Sequence, residues 1–454
     1  MLGQFLVVVG TNWLGTAALL GPGHAMYWAL GLALFHIPLA AVVIRLTREV
    51  PVEGGIYAWA KVAFGETAGF LAAWNMWVFI ATFTSTLGLA AAQGLSYGAG
   101  ALGLTLQPPP ALLHVALIGF LVLVASSGLG LGRILHDAGA LLLAVLLTLL
   151  VGFAVLAGPA PAAAGGVGET SLLVQATVFA KITVFGLAGL ECLSTLAGET
   201  RNPGRALPRS VLFAVPLIAG FYLLGTEAVR RLAGATAIDL VNPVAQAFSL
   251  RGGSLLAAGA IGVLLVRDVA QASISFTALT RLPLVAGWDR LLPAWFTRLS
   301  ESTGVPVRSI FVAGGLAIAL GLLGSLDAGT AEAFQLLQSA AGLFFGATYL
   351  VLFAIPLLAR PGFTRPPLWL RAASASGFLV TLLFLALAVV PIVEVPDAGR
   401  FALRVLGVFV VAEGIGLALL ALGRRAGGAK ATPVASATPV AHATPVTDAA
   451  RRKD

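Results

Sequence analysis

The chain has 454 residues, of which 59% are apolar and only 10% charged, with a net charge of +8. Soluble proteins carry roughly 25% charged residues, and a mean hydropathy of +0.97 leaves too little polar surface to cover a soluble core of this size. Bulk disorder is excluded as well, because it requires low hydrophobicity and high charge.

Cutting the sequence at its charged and Gly/Pro-rich breaks predicts about twelve membrane-spanning helices. They lie at roughly residues 2–20, 25–47, 66–97, 111–128, 134–158, 173–197, 208–229, 254–284, 306–324, 331–358, 372–393 and 401–422; a bilayer requires about 20 apolar residues, and the long segments 66–97 and 254–284 are expected to tilt or extend past it. The runs are continuous rather than alternating, which disfavours a β-barrel. No basic stretch precedes the first apolar run, so a removable signal peptide is not expected. With the N-terminus placed in the cytoplasm, 20 of the 27 lysines and arginines fall on that side and five on the other. Lys181 and Arg267 lie inside spans. This asymmetry sets the orientation, and an even number of spans returns the C-terminus to the same side. The transporter domain is expected over residues 1–423. Residues 424–454 contain ATPV three times, a composition that suits a disordered cytoplasmic tail.

Two spans carry glycine-rich interruptions at equivalent places. The first holds Gly10, then Gly15-Thr16-Ala17, then Gly21-Pro22-Gly23. The sixth holds Phe185-Gly186-Leu187-Ala188-Gly189-Leu190-Glu191. Glycine weakens a helix and frees backbone groups. Irregular backbone at membrane depth is tolerated only where it lines a cavity or packs in protein. A pair of interrupted spans five apart predicts two inverted five-helix repeats around a midplane site. The competing reading is that these glycines only allow close helix packing.

Three stretches together resemble one family. GETRNPGRALPRS (Gly198 to Ser210) is similar to the G-E-x-x-N-P-x-R-x-x-P-R signature of the amino acid–polyamine–organocation transporter superfamily. PVEGGIYAWAKVAFGETAGFLAAWNMW (Pro51 to Trp77) resembles its second-to-third-span segment. TRLPLVAGWDRLLPAWFTRLSESTGVPVRSI (Thr280 to Ile310) resembles its eighth-to-ninth-span loop. The resemblance implies an all-α polytopic membrane protein with the LeuT-like fold. That means two inverted repeats, about 1–160 and 170–360, plus two extra helices at about 370–423. Where the family's first span carries G-S-G-I-F, Gly15 to Leu19 read GTAAL, a variant that resembles the glutamate/GABA antiporter-like branch.

The function implied is secondary active transport of an amino acid or related amine across the cytoplasmic membrane. Coupling is expected to a proton gradient or to exchange. A sodium-coupled amino acid symporter and a polyamine transporter are the alternatives, and a non-transporting sensor stands behind them. The substrate carboxylate is expected at backbone amides around Gly15, Thr16, Ala17 and Ala18. The ammonium is expected at the second break, Phe185, Gly186, Leu187, Ala188 and Gly189, with Phe185 as a gate. Glu191 matches the Glu of the family's F-x-G-x-E, and suits either capping of a half-helix or protonation coupled to gating. Lys181, one turn before Phe185, suits pairing with a buried carboxylate or contact with an acidic substrate. Asp268 shares a helical face with Ser275, and an ion pair to another helix is expected for Arg267 and Asp268. A sodium site would draw on Ser273, Ser275 and Thr277 with span-one carbonyls. Glu227 reads as local pairing with Arg230 and Arg231, His36 as a hydrogen-bonding group, and His136-Asp137 as part of an inner gate.

No phosphate loop or H-E-x-x-H occurs in the chain. No enzyme activity, metal site, cofactor or nucleic acid partner is expected. The expected partners are the small-molecule substrate and the lipid bilayer, and a homodimer is compatible with the sequence.

Overall fold

A computed structural model describes residues 9–50, 54–104, 109–127, 129–158, 171–191, 203–234, 236–280, 282, 294–301, 303–326 and 329–427. Among them no strand occurs. In chain order the helices are α1 (Asn12–Ala18), α2 (Gly21–Glu49), α3 (Ile56–Phe64), α4 (Glu66–Ala101), α5 (Pro110–Ser126), α6 (Leu129–Leu156) and α7 (Leu172–Gly186). There follow α8 (Pro203–Ala233), α9 (Pro243–Gly252), α10 (Ser254–Leu279), α11 (Ala294–Thr297), α12 (Val307–Ser325), α13 (Thr330–Leu357), α14 (Leu368–Leu387) and α15 (Ala398–Gly427).

Nine stretches of the described residues are helical, long and apolar enough to cross a membrane. They lie in α2, α4, α6, α8, α10, α12, α13, α14 and α15. The shorter apolar helices α5 and α7 coincide with the fourth and sixth expected spans. The helix α1 falls in the first. Helices α3 and α9 were not anticipated. Both are short, and sequence periodicity alone does not separate such connecting helices from loops. The expected eighth span ends earlier than 284, at Leu279. Residues 51–53, 198–202, 281, 283–293 and 302 of the three family-like stretches, and Cys192, lie outside the described residues.

Burial sorts the helices into centre and rim. In α4 and α13, 72% of the most apolar window is buried inside the protein, against 17% in α15. Helices α4 and α13 therefore form the middle of the bundle. Leu403, Val410, Val411 and Leu422 on α15 are exposed, as side chains facing lipid must be.

Close approach depends on a few glycines. At Gly377 on α14, a Cβ would lie 2.3 Å from the ring of Phe353 on α13. Phe353 is fully buried and packs edge-on against Phe35 of α2. At Gly15, a Cβ would lie 2.7 Å from Pro243 Cβ at the start of α9. Glycine there is a packing requirement.

Overpacking at such a site costs about 1–3 kcal/mol. Gly377→Val is expected to lower the melting temperature of the detergent-solubilised protein. Gly119→Ala, where nothing lies within 4 Å, should leave it unchanged or raise it slightly. Equal melting temperatures for the two variants would contradict this packing.

Candidate functional site

Backbone at membrane depth must have hydrogen-bond partners, and the two interruptions meet this need together. In the first span the chain is non-helical at Val9 and Gly10, turns at Thr11, and becomes helical at Asn12. In the sixth, α7 ends in a π-helical turn over Ile182–Gly186, and Leu187 to Leu190 are irregular. π-turns of this kind are common at functional sites.

One side chain joins the two breaks. The Gly10 N–H donates to the Tyr222 hydroxyl at 3.2 Å, and that hydroxyl donates to the Gly186 carbonyl at 2.8 Å. Tyr222 comes from α8 and is buried. Trp28 of α2 stacks on it with ring centroids 4.3 Å apart, and the Trp28 indole N–H donates to Thr226 Oγ1 at 3.1 Å.

Other groups complete the breaks. The Gly189 N–H donates to the Tyr349 hydroxyl at 3.1 Å, and Tyr349 donates to Glu191 Oε2 at 2.6 Å. His36 Nδ1 meets the Leu187 carbonyl. At the first break, Arg267 of α10 donates to the Val9 carbonyl and also to Asp268 Oδ1.

Between the breaks lies a cavity of about 80 Å³, the space of a few water molecules. The first break contributes Gly10 to Trp13, and the second contributes Phe185, Ala188 and Gly189. From α10 come Arg267, Asp268, Gln271 and Ser275. Helix α4 supplies Thr86, helix α13 supplies Gln338, and the loop before α9 supplies Asn242. Phe185 sits among Trp13, Phe79, Phe83 and Phe345, at centroid distances of 5.4 to 6.1 Å.

The expected site residues divide accordingly. Phe185, Ala188, Gly189 and Asp268 line the cavity. Gly186 and Leu187 stand one step behind, with their carbonyls taken by Tyr222 and His36. Gly15, Thr16, Ala17 and Ala18 do not line it. They lie inside α1 and are buried, with Thr16 Oγ1 bonded back to the Asn12 carbonyl at 3.2 Å. The irregular backbone of the first interruption lies at Val9 to Thr11, and Gly15 packs on Pro243.

Glu191 is buried behind the second break, not in the cavity wall. Lys181 is buried too, with Nζ donating to Ser339 Oγ at 3.3 Å and to the Val390 carbonyl at 2.8 Å. Asp268 pairs with its neighbour Arg267 rather than with another helix. Of the sodium-ligand candidates, Ser275 lines the cavity, Ser273 is buried away from its wall, and the side chain of Thr277 is outside the described residues. His136 does not line the cavity, and Asp137 does not either. Glu227 holds Arg230 and Arg231 as expected, at 2.8 and 2.6 Å, and also meets His24 at 3.2 Å.

Sequence reasoning missed Tyr222, Tyr349, Asn242, Gln271 and Gln338. A signal existed for Gln271. It stands four residues from both Arg267 and Ser275, on one helical stripe.

Broken helices facing each other across a cavity with polar groups in its wall, within a multi-pass apolar bundle, are the arrangement of a membrane transporter of small molecules. Residues 1–412 match the amino acid permease family, and the chain belongs to it. An uncharacterized transporter of Legionella pneumophila is 25% identical over 416 residues, which cover 85% of this chain and 87% of that one. L-asparagine permease 2 of Mycobacterium tuberculosis is 28% identical over 402 residues, 82% of this chain and 78% of its own. A probable agmatine/putrescine antiporter of Lactococcus lactis is 24% identical over 213 residues, 45% of each. Family and relatives alike are transporters, not enzymes.

Tyr222→Phe tests the bridge between the breaks. It keeps the ring against Trp28 but strips partners from the Gly10 N–H and the Gly186 carbonyl. A buried group left unpaired costs about 1–3 kcal/mol. A clear drop in melting temperature is expected by tryptophan fluorescence, and an unchanged melting curve would contradict the bridge.

Proposed function

We propose that the protein carries a zwitterionic amino acid across the cytoplasmic membrane by alternating access, with both termini in the cytoplasm. The observation that carries this reading is the pair of backbone breaks, joined through Tyr222, on either side of one cavity with polar groups in its wall. In this reading the substrate carboxylate rests against the unwound backbone at Gly10 to Asn12, and the ammonium against carbonyls of the second break. Phe185 moves aside to admit the substrate, since the present cavity holds only a few waters. The resemblance to inverted repeats supports the division near residues 160–170 and the rocking of spans one, two, six and seven as a unit.

Arg267 argues against sodium coupling. Its guanidinium donates to the Val9 carbonyl, one of the span-one oxygens that a sodium ion would need, and a second cation beside it would be repelled. A fixed cation therefore stands in that place. Coupling by protons or by exchange remains, and Glu191, held by Tyr349, is the carboxylate proposed to respond to it. A polyamine is disfavoured as cargo. The cavity wall has one carboxylate, Asp268, and Arg267 already neutralises it.

Uptake of radiolabelled amino acids into proteoliposomes tests the reading. Saturable flux is expected with an acidic exterior or with amino acid inside, and replacing sodium by choline should not change it. Glu191→Gln is expected to reduce flux about tenfold or more, as for an intramembrane acid with a functional role. A strict sodium requirement would overturn the coupling assignment, and the absence of flux for every amino acid would overturn the transport reading.

A further inference from the structure

The wall of the cavity contains two amides that each have one atom without a hydrogen-bond partner. Asn242 and Gln271 are 7% and 6% exposed, and both line the cavity. Asn242 Nδ2 and Gln271 Oε1 are buried without a hydrogen-bond partner. Native proteins rarely leave such atoms unpaired, and each exception calls for an explanation.

The backbone that carries Asn242 is firmly placed. Asn242 ends a loop that is fastened at several points. Asp239 Oδ1 accepts from the backbone N–H of Val241 at 2.8 Å and of Asn242 at 3.1 Å. The Gln246 side chain accepts from the Asp239 N–H at 2.8 Å and donates to the Ala237 carbonyl at 2.7 Å. The other end of the Asn242 amide faces α4, where a Cβ on Gly94 would come within 3.1 Å of Oδ1. Gln271 is carried by α10, one turn from Arg267 and one from Ser275. The two amides therefore come from different elements. One offers a donor and the other an acceptor.

The charges nearby cancel, because Arg267 and Asp268 pair with each other. A net charge on the cargo side chain would find no countercharge in this wall. A planar group that accepts at one end and donates at the other completes both amides together.

We propose that Asn242 and Gln271 form the side-chain subsite of the cavity and select a neutral amino acid bearing a carboxamide. This rests on the transport reading above and adds the substrate class. The Asn242 N–H donates to the carboxamide oxygen, and the carboxamide N–H donates to Gln271 Oε1. Sites built on such pairs discriminate strongly against analogues that leave them unmet.

The test is competition in proteoliposomes that hold the full chain. Uptake of labelled glutamine is measured against unlabelled asparagine, leucine, methionine, glutamate and alanine. Asparagine is expected to compete about tenfold or more better than leucine or methionine, and glutamate is expected to compete poorly. Gln271→Met and Asn242→Asp, both close in shape to the native residues, should each lower the preference for asparagine over leucine about tenfold. The ratio of inhibition constants is the readout, so a general loss of protein or rate does not imitate the effect. Monodispersity by size exclusion confirms that both variants are folded. Saturable flux of alanine or leucine with no carboxamide preference, or a ratio unmoved in both variants, overturns this inference and leaves the transport reading standing. Absence of flux for every amino acid, glutamine included, overturns both.

Discussion

Everything in this molecule depends on how backbone groups find partners where no water is available. An intact helix satisfies its own N–H and C=O groups, which is why helices span membranes at all. Two spans give up that self-sufficiency in the same region. The protein offsets the loss with side chains from other spans. Tyr222 serves both breaks with one hydroxyl, as acceptor for Gly10 and donor to Gly186. Tyr349 does similar work for Gly189 and Glu191. His36 and Arg267 take the Leu187 and Val9 carbonyls. Each of these residues is polar and is carried on a helix other than the one whose backbone it serves.

The same constraint explains which parts of the protein were legible in its sequence. Hydropathy alone located the spans, because the lipid requirement acts on every residue of a helix. The second break was legible too, since its glycines and Glu191 occur inside one apolar run. In the first interruption Gly10 was named, but Gly15 to Ala18, where the substrate contacts were expected, are helical. Glycine has two reasons to be in a membrane helix, backbone opening and close packing, and sequence does not tell them apart. Gly15 is there for packing against Pro243, whereas Gly10 lies at the opening. The cavity wall was largely hidden. Asn242 reaches it from a loop, and Gln338 from the tenth span, so their meeting is a fact of tertiary structure. Only the stripe of Arg267, Gln271 and Ser275 on α10 left a periodic trace.

Charge inside the bundle follows a related economy. Arg267 and Asp268 are consecutive, and their backbone positions are roughly 100° apart on the helix. Their side chains nevertheless meet. A pair drawn from one helix has a simple consequence: it moves with that helix and stays neutral however the neighbouring helices move. The link from Arg267 to the Val9 carbonyl is of another kind, because it joins α10 to the first span. Lys181 likewise ties α7 to Ser339 on α13 and to the Val390 carbonyl after α14.

These links separate into two groups when the first, second, sixth and seventh spans are taken as the moving unit of the proposed cycle. The Tyr222 bridge, its stack on Trp28, the bond from Trp28 to Thr226 and the contact of His36 with Leu187 all lie within that unit. Motion of the unit leaves them intact, so both breaks can travel without exposing bare backbone. The bonds of Arg267 to Val9, of Tyr349 to Gly189 and Glu191, and of Lys181 to Ser339 and Val390 cross its boundary. So do the contacts of Phe185 with Phe79, Phe83 and Phe345. A rocking motion must loosen some of these. The aromatic contacts are non-directional and re-form easily, whereas a buried ion or carboxylate that loses its partner is costly. In the proposed cycle the bonds of Arg267, Lys181 and Glu191 are therefore the costly ones to loosen, and a substrate or a proton would act by replacing one of them.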